Sequence, residues 1–65
     1  MLKTKILERG IHPLDCEGVI MEQKIQYCMD MGDDKVRIGI NGEDLIVQTN
    51  YHDLVKRLSD IESAR

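Results

Sequence analysis

Residues 35–50 constrain this chain more than any other stretch. Val36, Ile38 and Ile40 alternate with Arg37 and Gly39, Asn41-Gly42 follows, and residues 45–49 form a second β-rich run. Alternation of period two around an Asn-Gly pair predicts two strands folded back through a tight turn. The remaining segments must supply whatever covers this hairpin.

Sixty-five residues make a single domain that hides only about 60% of the surface its unfolded chain exposes. A chain so short gains from a bridge, a metal or a partner, and self-association into a dimer or higher oligomer is expected. Cys16 and Cys28 are the two cysteines. Met1-Leu2-Lys3-Thr4-Lys5 is followed by no long apolar run or small-residue cleavage site, so the expectation is a cytoplasmic chain with reduced thiols. No apolar run approaches the roughly 20 residues that cross a bilayer, and no membrane partner is expected.

The net charge of -3 is unevenly placed. Residues 1–9 carry Lys3, Lys5 and Arg9 against Glu8, whereas residues 15–34 carry Asp15, Glu17, Glu22, Asp30, Asp33 and Asp34 against Lys24 alone. An acidic middle argues against a broad nucleic-acid surface, which needs clustered Lys and Arg, and leaves room only for a small basic patch. Phe and Trp are absent, and Tyr27 and Tyr51 are the only aromatics, so stacking platforms for bases are nearly lacking.

Along the chain, residues 2–8 read as a short strand with Leu2, Thr4 and Ile6 on one side and Lys3, Lys5 and Leu7 on the other, a helical turn being the alternative. Pro13 lacks an amide donor and biases His12 towards extended backbone, so residues 9–17 read as a loop. Residues 18–31 read as one long strand, with Val19, Met21, Ile25, Tyr27, Met29 and Met31 sharing a face and Glu22, Lys24, Gln26 and Asp30 the other. The same segment also fits a helix, with Met21, Ile25, Cys28 and Met29 as its stripe. Gly32-Asp33-Asp34 supplies a turn into the central hairpin. Beyond it, Asn50 is placed to cap a helix running to about Ala64, with Asp53 near its positive end. Tyr51, Leu54, Val55, Leu58 and Ile61 form its apolar stripe, while Lys56, Arg57, Asp60 and Glu62 face away. Asp53 and Arg57 are spaced as an i,i+4 pair worth about 0.3 to 0.5 kcal/mol.

No constellation for chemistry emerges. His12, Cys16, Cys28 and His52 are the residue types of a zinc site, but their spacing matches no usual ligand pattern. His12 and Cys16 lack anything to orient a base or hold an oxyanion. Asp33-Asp34 and Glu43-Asp44 sit at turns, where solvated carboxylates are the default. The glycines are scattered singly rather than arranged as a phosphate loop. The expectation is therefore no enzyme, no catalytic residue, no metal and no cofactor, with a cysteine- or metal-dependent enzyme as the remote alternative.

Gly32-Asp33-Asp34-Lys35-Val36-Arg37-Ile38-Gly39-Ile40-Asn41 resembles the central motif of the carbon storage regulator family, CsrA, whose members carry a GD-x-VRIGI run. Met1-Leu2 with Thr4-Lys5 is also similar to that family's first strand. The resemblance implies a small dimer of intertwined strands that binds GGA-containing RNA loops and represses translation. Lys5 matches a basic RNA-contacting position, whereas Thr49 stands where the family has its RNA-reading arginine. Residues 33–58 are in addition similar to the strand, Asn-Gly turn, strand and helix pattern of FlbD-like flagellar proteins.

Together these readings predict a small α+β protein: a three-stranded antiparallel meander over residues 18–49, a fourth N-terminal strand, and one amphipathic C-terminal helix on the sheet. The expected function is a binding module of bacterial or bacteriophage type that sequesters or inhibits a protein or small ligand, with a CsrA-like RNA-binding regulator as the alternative. Lys3, Lys5, Arg37, Gln48, Asn50 and His52 are the candidate partner- or ligand-binding residues. The stripe over residues 19–31 reads first as core packed under the C-terminal helix; Met21, Tyr27, Met29 and Met31 are also the candidate oligomer surface, because flexible thioethers repack readily, and both readings can hold at once.

Overall fold

The computed structural model describes residues 1–63. The chain forms β1 (Leu2–Arg9), β2 (His12–Ile20), a one-turn 3₁₀ helix (Glu22–Lys24), β3 (Ile25–Gly32), β4 (Lys35–Ile40), β5 (Glu43–Gln48) and α1 (Tyr51–Ser63). All five strands lie in one sheet of order β2-β1-β5-β4-β3, and every pairing is antiparallel. This is the expected α+β class, one sheet with a C-terminal helix, carrying more strand than the sequence suggested.

The central hairpin forms as its sequence dictates. Asn41 and Gly42 both adopt positive φ, 52° and 76°, which a two-residue turn of matching twist requires. The β4–β5 ladder then runs without a break from Ile40 opposite Glu43 to Lys35 opposite Gln48. The β3–β4 turn is built the same way, with Asp33 and Asp34 at φ 53° and 56°.

The N-terminal part departs from expectation. Residues 9–17 are not a loop: the chain reverses at Gly10, φ 61°, and returns as β2 along β1, with Arg9 opposite His12 and Leu2 opposite Ile20. Pro13 is tolerated because β2 is an edge strand, where a missing donor costs no ladder bond. Nor are residues 18–31 one strand or one helix. Extended chain ends at Ile20, the 3₁₀ turn intervenes, and β3 begins on the far edge of the sheet. The meander is therefore β3-β4-β5, to which β1 joins the first hairpin by pairing with β5. Leu7 is the extra residue of a bulge against β5, whereas in the pairing with β2 the extra residue lies on β2, where Leu14 and Asp15 face Leu7; the expected alternation of β1 therefore holds as far as Ile6 and shifts beyond it.

The core lies between one sheet face and α1. Val36, Ile38 and Val47 are 0% exposed, and Leu2, Ile20, Leu45 and Leu54 complete the buried cluster. Tyr51 and Leu58 pack against it from the helix, Ile25, Ile40 and Cys28 from the sheet. Asn50 caps α1 as expected, its Oδ1 accepting from the Asp53 N–H at 3.1 Å. The Asp53–Arg57 pair does not form: the Arg57 guanidinium turns to Glu22, Nη1 donating to Oε2 at 3.0 Å. Glu22, only 4% exposed, also takes the Met1 ammonium on Oε1. Among the described residues that ammonium is the only partner of Oε1. The hydrogen bond from the ammonium holds the Glu22 carboxyl below its ordinary value, against the upward push of burial and with help from Arg57. This carboxylate binds the start of the chain to its C-terminal helix. Ala64, the expected helix end, lies outside the described residues.

Candidate binding face

The face of the sheet turned away from α1 is covered by no element among the described residues. Side chains alternate across a strand, so the core positions Val36, Ile38, Leu45 and Val47 put Lys35, Arg37, Asp44, Ile46 and Gln48 on this open face. Pairing extends the rows. Lys5 lies opposite Gln48, which lies opposite Lys35. Ile46 lies opposite Arg37, which lies opposite Met29. Asp44 lies opposite Gly39, which lies opposite Tyr27, and Lys3 lies opposite Val19 at the other corner.

The third row is tightly built. Any side chain at position 39 would run into the Tyr27 ring, so glycine there lets the ring lie across β4. Its hydroxyl then donates to the Asp44 carboxylate on β5. The aromatic thus stitches three strands on the open side, and the Val-Arg-Ile-Gly-Ile pattern acquires a packing reason for its glycine.

The predicted apolar stripe is found here rather than under the helix. Val19, Tyr27, Met29 and Met31 are 56, 46, 51 and 43% exposed, and the core reading of this stripe is overturned. The sequence pattern treated them as one strand, but Val19 sits on β2 and the other three on β3, at opposite edges. Ile25 turns to the core, and Met21 leaves the strand to precede the 3₁₀ turn.

Of the predicted binding residues, Lys3, Lys5, Arg37 and Gln48 come together on the open face, and Lys35, which the sequence reading left out, joins them in line with Gln48. Its register next to the Val36-to-Ile40 alternation was signal enough to find it. Lys5 pairs with Asp15 at 3.0 Å. Asn50 and His52 are not on this face. Asn50 is occupied by the helix cap and by Asp34, to which its Nδ2 donates at 3.3 Å. His52 lies in the first turn of α1, its ring edge-on to Tyr51 at 5.7 Å.

The thiols are far apart in the sheet. Cys16 is exposed on β2 and Cys28 half-buried on β3, both free and on opposite edges. Burial pushes the Cys28 thiol up. His12 shares β2 with Cys16, and His52 is on the helix, so these four candidate zinc ligands do not converge. Among the described residues no three His, Cys, Asp or Glu side chains are grouped to hold a metal ion, and no helix is long and apolar enough to cross a membrane.

At the turn end of the sheet, Arg9 donates to Glu43 at 2.6 Å, which raises the guanidinium further above its ordinary value. The Gly10 N–H donates to the Asp44 carbonyl at 2.8 Å. These contacts tie the first hairpin to the central one beside the open face.

The fold and face define a small α+β protein with a five-stranded antiparallel sheet backed by a single helix. No protein-family model, curated protein or solved structure matches the chain.

Proposed function

We propose that this chain is a small non-enzymatic binding module, of bacterial or bacteriophage type and acting in the cytoplasm, that sequesters or inhibits a protein or small ligand. The contact surface is the open face of the sheet. One observation carries this reading: a chain of 65 residues leaves Tyr27, Met29 and Met31 exposed on the side of the sheet opposite its helix. Large apolar side chains beside uncommitted cations mark surfaces that bind. Lys35 and Arg37 supply positive charge next to the apolar group, which suits a partner with carboxylates or phosphates bordering an apolar surface.

A second reading, the CsrA-like RNA-binding regulator, is favoured by the convergence of Lys3, Lys5 and Arg37 on one face. Purification followed by the ratio of absorbance at 260 and 280 nm separates the two. Without Trp, any bound nucleic acid dominates the spectrum. The expected outcome is a nucleic-acid-free preparation from which denaturation releases a protein or small molecule, with that species lost from Lys35→Ala, Arg37→Ala protein. RNA released by salt, and lost on Lys5→Ala, Arg37→Ala substitution, would replace the first reading by the second.

A further inference from the structure

The two edges of the sheet are guarded unequally. Natural sheets blunt their edges with proline, charge and bulges, because an exposed strand offers unpaired N–H and C=O groups to any other strand. β2 carries such guards: Pro13, three acidic or basic side chains among His12, Asp15 and Glu17, and Asp15 itself in the left-handed region at φ 51°. β3 carries few. Its sequence Ile-Gln-Tyr-Cys-Met-Asp-Met-Gly has one charge and no proline, and from Tyr27 to Asp30 it pairs with β4 without a break, the irregularities lying only at its two ends.

We propose that β3 pairs with β3 of a second copy of this chain, antiparallel about a two-fold axis at Cys28, joining two sheets of five strands into one continuous sheet. The register follows from side-chain parity. In an antiparallel pair, directly opposed residues share a face, so a symmetric β3 pairing can be centred on Tyr27, Cys28 or Met29 but not between residues. Centring on Met29 sets Asp30 against the partner's Cys28, a charge against a half-buried thiol. Centring on Tyr27 sets Cys28 against the partner's Gln26, which lies within the irregular end of the strand. Centring on Cys28 sets the partner's Met29 beside Tyr27 twice, a thioether on the flank of the ring turned away from Gly39 and Asp44, and keeps all three central pairs within the regular run.

A second copy is the occupant because the strand complements itself: its one aromatic and its central methionine stand equally spaced about Cys28. The joint is short, four or five residues at about 3.4 Å each, and falls at the small end of specific interfaces, below about 1,200 Å² in total. The association is therefore concentration-dependent. It neither uses nor requires a partner on the open face, which it doubles in extent.

Sedimentation equilibrium of the full chain over a range of concentrations tests this. A mass approaching twice 7.5 kDa that falls on dilution is expected. Met29→Asp, which sets a carboxylate against the partner's Tyr27 in both halves, should weaken the dimer about tenfold or more while leaving the circular dichroism spectrum unchanged. Val19→Asp on the guarded edge should leave the dimer intact. In a Cys16→Ser background, diamide, which takes two electrons and two protons from a pair of thiols, should link the dimer through Cys28, since directly opposed Cα atoms at about 4.5 to 5.5 Å suit a disulfide. A monomer at every attainable concentration, a dimer broken by Val19→Asp but not by Met29→Asp, or a dimer that diamide does not link would overturn the proposal.

Discussion

The two hairpins that share β1 and β5 as neighbours differ in almost every respect. In β4–β5 three side chains, Val36, Ile38 and Val47, are wholly inaccessible, the ladder is unbroken, and both turn residues are of the type the turn demands. In β1–β2 the second strand is exposed along nearly its whole length, only Ile20 being buried, and the ladder shifts at a bulge. The β4–β5 hairpin is held by its core. The β1–β2 hairpin is held by the backbone pairing of β2 to β1, by contacts at its ends, and by the anchor of Leu2 and Ile20 in the main cluster. Stability in this molecule is concentrated in the β4–β5 hairpin and thins towards the β2 edge.

The largest expected effect tests that concentration directly. Ile38→Ala removes a side chain that is 0% exposed at the centre of the cluster and should cost about 2 to 5 kcal/mol. A core of this size rarely supplies more than about 3 to 5 kcal/mol in all. The substitution should therefore abolish the cooperative thermal transition followed by circular dichroism. A variant that still melts cooperatively near the parent temperature would break the comparison.

The same contrast explains what could be read from the sequence. The β4–β5 hairpin was legible because burial of one face writes alternation into the sequence, and Asn41-Gly42 and Asn50 carry turn and cap chemistry in single residues. β2 was not, because an edge strand exposed on both sides has no alternation to display, and Pro13, a breaker elsewhere, costs nothing there. The division of residues 18–31 was hidden for another reason. Glu22 looked like a solvated residue on a strand's polar face, but it is drawn inside by the Met1 ammonium and Arg57, partners distant in sequence. The open face was half legible: Lys3, Lys5, Arg37 and Gln48 were found by residue type, while the separation of Val19 from Tyr27, Met29 and Met31 depended on topology.

Glu22 provides the intermediate effect, since it joins the two regions. Glu22→Gln leaves the ammonium and Arg57 without their carboxylate, but both are largely exposed, 69 and 50%. The loss at neutral pH should be about 1 to 2 kcal/mol, the scale of a charge-assisted hydrogen bond. The dependence on pH has a definite sign. The folded carboxyl lies below its ordinary 4.5, so the unfolded chain binds the proton more readily and the site's contribution is present above that value. It is lost as pH falls from about 4.5 through the depressed folded value. Denaturant melts should show the parent converging on Glu22→Gln in acid and separating from it at neutral pH. A difference that is constant with pH would mean that the pairing does not form.

The smallest expected effect, on β2, is the sharpest control, because it repeats a chemical change made at a buried site on β5. Val47→Ala on β5 removes two methyl groups from a site that is 0% exposed and should cost about 2 to 3 kcal/mol in lost transfer energy and residual cavity. Val19→Ala on β2 removes the same two groups from a side chain 56% exposed, where surface substitutions stay within about 0.5 kcal/mol. β-propensity itself depends on whether a strand lies at the edge or the centre of a sheet, so the difference reports burial together with the position of the strand. Should the two variants melt alike in urea, β2 would owe its place to a cover over Val19 absent from the isolated fold, and the open face would already be occupied in solution.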